Sequence, residues 1–288
     1  MYYFMSLLTG ILISVMITLN GWLSEFYGIY AATVIVHIVG FSVIASLILI
    51  RRERPFAGRY AWPLYLGGAI GVFVAASGNI AFGRISISAI LALGLLGQSV
   101  MGLIIDQYGL MGMPKHPFGK RKLVGLVIVI AGITSMITSF EAMAVFVSFA
   151  AGVGIVLSRT LNAKLSALTS VYIGTFYNYF VGLCLSIPVF LLLGRGEVIY
   201  AGFSFSPNIY IYLGGVIGVS VILMSNITVV RISAFYLTLL IFVGQVFSGI
   251  LIDALLTQAF SPRTIAGGVL VAVGLGVNLV LERGRFGG

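Results

Sequence analysis

Apolar residues fall along this chain in long runs, each bounded by a short cluster of turn-forming or charged residues. A crossing of the hydrocarbon core takes about 20 predominantly apolar residues. Runs of that length lie at 3–22, 29–50, 62–83, 86–106, 121–139, 142–160, 170–193, 209–230, 234–256 and 264–281. Lipid offers no partner for open backbone groups, and these runs are too long for barrel strands, so each predicts a helix. The expected fold is an all-α integral membrane protein with ten transmembrane helices.

The polar positions inside those runs repeat. Tyr65-Leu66-Gly67-Gly68 returns as Tyr212-Leu213-Gly214-Gly215, Asn79 as Asn226, and Arg84-Ile85-Ser86 as Arg231-Ile232-Ser233. Gly97-Gln98 returns as Gly244-Gln245, and Asp106 as Asp253, all at a separation of 147. On either side the separation is 142: Leu19-Asn20 matches Leu161-Asn162, Gly40 matches Gly182, and Arg121 matches Arg263. Chance matches between apolar segments would pair Leu with Val, not the residues that membrane spans tolerate least. The chain is a duplication of two units, 1–140 and 141–288. Five spans per unit is an odd number, so the two repeats are expected in inverted topology, the build of many secondary transporters.

Composition agrees with the pattern. Hydrophobic residues make up 60% of the chain and charged residues 8%, with mean hydropathy +1.16. A soluble domain carries about 25% charged residues. The net charge of +9 would suggest nucleic acid in a soluble protein, but here its placement explains it. With the N-terminus inside, thirteen of the sixteen basic residues fall on the inner side, Arg159 and Lys164 counted among them. Arg84, Arg195 and Arg263 fall outside. Both termini are therefore expected in the cytoplasm, in a multi-pass inner-membrane protein with no nucleic-acid partner. One cysteine (Cys184), two histidines and seven carboxylates leave little material for a metal centre, and no cofactor is expected. No cleavable signal is evident, because the first apolar run lacks a basic leader.

Candidate chemistry lies in the few polar residues within the spans. His37 is an ionisable group well inside a span; proton coupling competes with a neutral ring bonded to a neighbouring helix. Gln98 and Gln245 sit near mid-span, where a carboxamide orients a polar ligand or bonds helix to helix. Asn79 and Asn226 are expected to line a cavity. Asn20 and Asn162 read as gate elements or, preferably, as caps of helix ends. Arg84 and Arg231 are candidates for state-dependent ion pairs with Asp253 and Asp106, against simple snorkelling at the interface. Span seven carries Tyr172, Phe176, Tyr177, Asn178, Tyr179 and Phe180. Such a wall suits an amphiphilic or cationic molecule, or packs in the interfacial belt. Tyr179 takes the repeat position of His37, and that asymmetry is a place for substrate preference. Gly125 and Gly132, and again Gly267 and Gly274, mark smooth faces for packing of the terminal helices or for a homodimer.

The segment Gly97-Gln98-Ser99, Leu103 to Leu110, Pro114, Arg121, Gly125 and Gly132 resembles the signature of the YdcZ-like family, a branch of the drug/metabolite transporter superfamily. The opening Gly10, Asn20-Gly21, Leu23, His37 and Gly40 resembles it too. The second half keeps Asp253 but lacks the Tyr-Gly-Leu that follows Asp106. The resemblance implies a ten-helix inverted-repeat exporter and leaves its substrate undefined. The expected function is alternating-access secondary transport of a small organic metabolite or drug-like compound, the small-molecule partner, with membrane lipid around it. Proton coupling through His37 competes with facilitated exchange, and lipid translocation is the alternative. An integral-membrane enzyme is not expected, because the sequence carries no nucleophile elbow, zincin motif or paired in-membrane carboxylates.

Overall fold

The computed structural model describes residues 1–112, 122–136, 141–197, 204–228, 231, 234–257 and 262–283. Among them are ten α-helices: α1 Tyr2–Tyr27, α2 Ile29–Arg51, α3 Leu66–Ala81, α4 Ile87–Tyr108, α5 Lys122–Met136, α6 Ala142–Leu168, α7 Val171–Leu193, α8 Leu213–Thr228, α9 Ala234–Thr257 and α10 Pro262–Arg283. The described residues contain no strand. Seven helical segments are long and apolar enough to cross a membrane: α1, α2, α4, α6, α7, and α3 and α8 with the 3₁₀ turns that lead into them. The apolar stretches of α5, α9 and α10 are shorter, at Val124–Met136, Leu240–Leu256 and Pro262–Val277.

Helix ends follow local chemistry. Ser86, Glu141 and Ser170 each accept a hydrogen bond from the backbone N–H three residues on, starting α4, α6 and α7. Only Gly28 separates α1 from α2, and its φ of 100° is a conformation that side chains resist. The main departure from the expected boundaries is α6. Its apolar run ends near residue 160, but the helix continues to Leu168, so Asn162 and Lys164 are helical and Arg159 lies well before the helix end. Likewise α1 runs to Tyr27, which leaves Asn20 and Asn162 inside helices instead of capping them.

The principal interfaces run between the halves. α1 packs on α8 and α9, and α6 packs on α3 and α4; α2 packs on α7, α4 on α9, and α5 on α10. Each contact has its repeat counterpart. Glycine makes the closest crossings: a Cβ on Gly97 would stand 2.0 Å from the Phe149 carbonyl, and one on its counterpart Gly244 2.3 Å from that of Leu7. From the facing helices, a Cβ on Gly152 or Gly10 would stand 1.9 or 2.1 Å from the Gly94 or Ile241 carbonyl oxygen. Small residues let membrane helices gain van der Waals contact where no hydrophobic drive exists. The glycine faces of α5 and α10 meet each other, with Gly132 against Gly267 and Gly274 against Gly125.

Candidate functional site

Eight helices, α1 to α4 and α6 to α9, enclose a central cavity of about 230 Å³. Its wall is apolar for the most part, with Ile13, Met16, Ile17, Val36, Val74, Leu91, Ile155 and Val221 among its lining. Set into that wall are the repeat-related pairs Asn20 and Asn162, Asn79 and Asn226, and Gln98 and Gln245. His37 and Tyr179 line it as well. Eight of the residues singled out in the sequence therefore come together here, although they are spread over more than 220 positions of the chain.

The pairs are built alike. The Asn79 amide donates to the Ile29 carbonyl at 3.2 Å and to the Thr33 hydroxyl at 3.3 Å. Its counterpart Asn226 donates to Thr175, the repeat equivalent of Thr33, at 3.4 Å. Asn20 turns its carboxamide oxygen against Gly214, and Asn162 turns its own against Gly67; a Cβ at those glycines would stand 1.9 and 2.2 Å from the oxygens. Only a glycine Cα–H leaves that space, and such contacts are weakly favourable. The Asn162 amide is further held by Ser158 at 3.3 Å, and the Ser158 hydroxyl donates to the Gly67 carbonyl at 2.8 Å. The Asn20 oxygen is buried with no conventional hydrogen-bond partner among the described residues.

His37 and Tyr179 face each other across the α2–α7 contact with ring centroids 5.9 Å apart. His37 packs on Gly182 and Tyr179 packs on Gly40, again a repeat-related exchange. His37 Nδ1 lies 2.7 Å from the Thr33 carbonyl. A carbonyl only accepts, so in the neutral ring Nδ1 carries the proton and Nε2 is left as an acceptor. The Tyr179 hydroxyl donates to the Gly215 carbonyl at 3.5 Å.

The remaining candidates sit elsewhere. Tyr177 is not among the cavity-lining residues: its hydroxyl donates to the Pro55 carbonyl at 3.0 Å, and its ring packs edge-on to Tyr65 and Phe56. With Phe41, Phe176 and Phe180 it forms an aromatic cluster at the end of the bundle where α2 stops and α7 starts. Arg84 forms an exposed salt bridge with Glu141 at 3.4 Å. The Asp253 carboxylate accepts the backbone N–H groups of Ile87 and Ser88 at 2.8 and 2.9 Å, capping α4. Arg231 is exposed and lies over the Tyr2 ring, 5.9 Å from its centroid. The Asp106 side chain lies outside the described residues.

One functional candidate escaped the sequence reading. Arg159, counted there as an inner-loop base, lines the cavity from α6, with Nη2 3.5 Å from the Gln98 carboxamide oxygen. Asn178, Ser158 and Ser225 line it too. The signal for Arg159 was present in the duplication: at the separation of 142 it takes the position of Ile17, which is well inside a span. Among the described residues no group of three His, Cys, Asp or Glu side chains is placed to hold a metal.

Comparison with known proteins places this architecture. A solved structure described only as "Crystal structure of protein" superimposes with a TM-score of 0.65 at 15% identity, covering 100% of this chain and 98% of its own. At that identity the likeness speaks for the fold alone. No curated protein matches the sequence. The family described as "Putative inner membrane exporter, YdcZ" matches twice in tandem, over residues 1–135 and again over 143–277. With two family units spanning nearly the whole chain and helices of membrane-crossing length and apolarity, this is a multi-pass inner-membrane protein that belongs to the YdcZ family of the drug/metabolite transporter superfamily.

Proposed function

We propose that the chain is a secondary transporter that carries a small organic solute through the central cavity by alternating access. The observation that carries this reading is the cavity itself: a polar-studded space between the two halves, to which both contribute equivalent residues. Sites at the interface of inverted repeats, near the bilayer midplane, are what such a mechanism uses. In this reading all ten helices cross the bilayer, residues 1–140 and 141–288 form two inverted five-helix units, and both termini are cytoplasmic.

His37, Asn79, Gln98, Tyr179, Asn226 and Gln245 then form the solute site. Asn20 on Gly214 and Asn162 on Gly67 are repeat-related sliding contacts at the two ends of that site, suited to opening in turn. Beyond them lie two plugs. One is the hydrogen-bonded group of Tyr27, Tyr212, Ser204 and Ser206; the other is the aromatic cluster around Tyr177. Tyr177 thus acts as a plug residue, and Arg84, Arg231 and Asp253 act on helix ends at the rim. The narrow apolar wall favours a compact solute, since pockets for drug-sized ligands start at about 300 Å³.

The test is a thermal-shift screen of the purified protein in detergent against soluble metabolites, repeated on Gln98→Ala and His37→Ala. A ligand stabilises the state that binds it, so a soluble compound that raises the unfolding temperature of the native chain, and loses that effect in either variant, is the expected result. Stabilisation by lipids alone would overturn the reading in favour of lipid translocation.

A further inference from the structure

We infer that the solute is a small organic anion, bound through its charged group by Arg159. This deepens the transporter reading and rests on it. Among the described residues, Arg159 is the one Arg or Lys that lines the cavity, and no Asp or Glu lines it. The carboxylates of Glu53, Glu141, Glu197 and Asp253 are engaged elsewhere: Glu53 with Ser170, Glu141 with Arg84 and the start of α6, Glu197 with the start of α2, and Asp253 with the start of α4. Arg159 is half-buried, its guanidinium is permanently charged, and facing a mostly apolar cavity with no counter-charge among the described residues is costly. Its contact with Gln98, at 3.5 Å, is long and uses one of five N–H donors. The others are available for a carboxylate or sulfonate, which the planar fork fits in bidentate fashion.

The repeat sharpens this. Ile17 occupies the position equivalent to Arg159, and it too lines the cavity. Gln245, the counterpart of Gln98, makes no side-chain hydrogen bond among the described residues. The charge was therefore placed on one half only. The geometry fits a solute with one anionic end at Arg159 and Gln98 and an apolar body against Met16, Ile17 and Val36. Among the described residues an organic cation has no carboxylate to meet here, and the aromatic cluster that would offer cation–π contact lies away from the cavity, leaving Tyr179 as the sole Phe, Tyr or Trp in the lining.

The experiment is thermal-shift titration of the purified full-length chain with benzoate, butyrate and benzenesulfonate as sodium salts. Benzamide, butyramide and benzylammonium chloride serve as near-isosteric neutral and cationic probes, at ionic strength matched with sodium chloride. Saturable stabilisation by at least one anion, absent with the neutral and cationic probes, is expected. Arg159→Leu should raise the anion Kd about ten- to a hundredfold, and Arg159→Lys should fall between. Arg195→Ala, on an exposed loop, should leave it unchanged. Equal stabilisation by amide or ammonium, undiminished affinity in Arg159→Leu, or no response to any anion would overturn the proposal. If the leucine variant fails to fold, the isosteric comparison on the native chain and the lysine variant decide. Counterflow of benzenesulfonate in proteoliposomes separates the two readings. Arg159-dependent binding without flux would sink transport and keep the anion site, while flux of a neutral compound without anion binding would do the reverse.

Discussion

At the scale of single residues, fit at the crossings between helices governs this protein. Gly97 and Gly244 bring their helices to a separation that no Cβ permits, with carbonyl oxygens 2.0 and 2.3 Å from where that atom would stand. Gly97→Ala and Gly244→Ala should each destabilise the fold by about 1–3 kcal/mol, because the obstacle is rigid backbone rather than a side chain that can turn away. Gly102 lies on the same helix as Gly97 and has nothing within 4 Å of its Cβ position. There alanine relieves the backbone-entropy cost of glycine, and Gly102→Ala should be neutral or stabilise by about 0.5–1 kcal/mol. Thermal unfolding of the three variants in one detergent checks both signs; a Gly97→Ala variant as stable as Gly102→Ala would contradict the close crossing.

Among the helices, the recurring device is a carboxylate on the N-terminus of a distant helix. Asp253 at the far end of α9 caps α4, and Glu197 caps α2 by accepting the Tyr30 and Ala31 N–H groups, both at 2.9 Å. Each joins the two halves, and each places negative charge where the helix dipole favours it. Hydrogen bonds to charged groups contribute about 1.5–3 kcal/mol. Asp253→Ala and Glu197→Ala should therefore lower stability by about that range, and hydrogen exchange should rise in the first turn of α4 or α2 respectively. Exchange that rises evenly over the whole chain would mean the carboxylates are not acting as local caps. The duplication marks Asp253 as special in the sequence and offers an arginine as a candidate partner, but not the backbone of α4. Backbone N–H groups carry no sequence signature, so this partner was not legible before the fold.

For the molecule as a whole, the ten-span reading makes a definite statement about sidedness. A reporter that is active only outside the cytoplasm should be active when fused after residue 140 and inactive after residue 288. A fluorescent protein that folds only in the cytoplasm should give the opposite result. Activity outside at both positions would mean that some helix among α6 to α10 does not cross. The shorter apolar stretches of α5, α9 and α10 make this the decisive test of topology.

The amino-acid sequence by itself determined the helical class, the runs that become helices, the two-unit duplication and the identity of the paired polar residues. All of these follow from local apolar length or from self-comparison, and neither needs a neighbour in space. Tertiary structure decided which polar residues share a cavity. It gathered Asn20, Asn79, Asn162, Asn226, Gln98 and Gln245, left Tyr177 in an aromatic cluster, and turned Arg159 inward from a helix that outlasts its apolar run. Hydropathy treats a base near the end of an apolar run as a loop residue, whatever lies beside it. Only the packing of α6 against α3 and α4 gives that guanidinium a cavity to face.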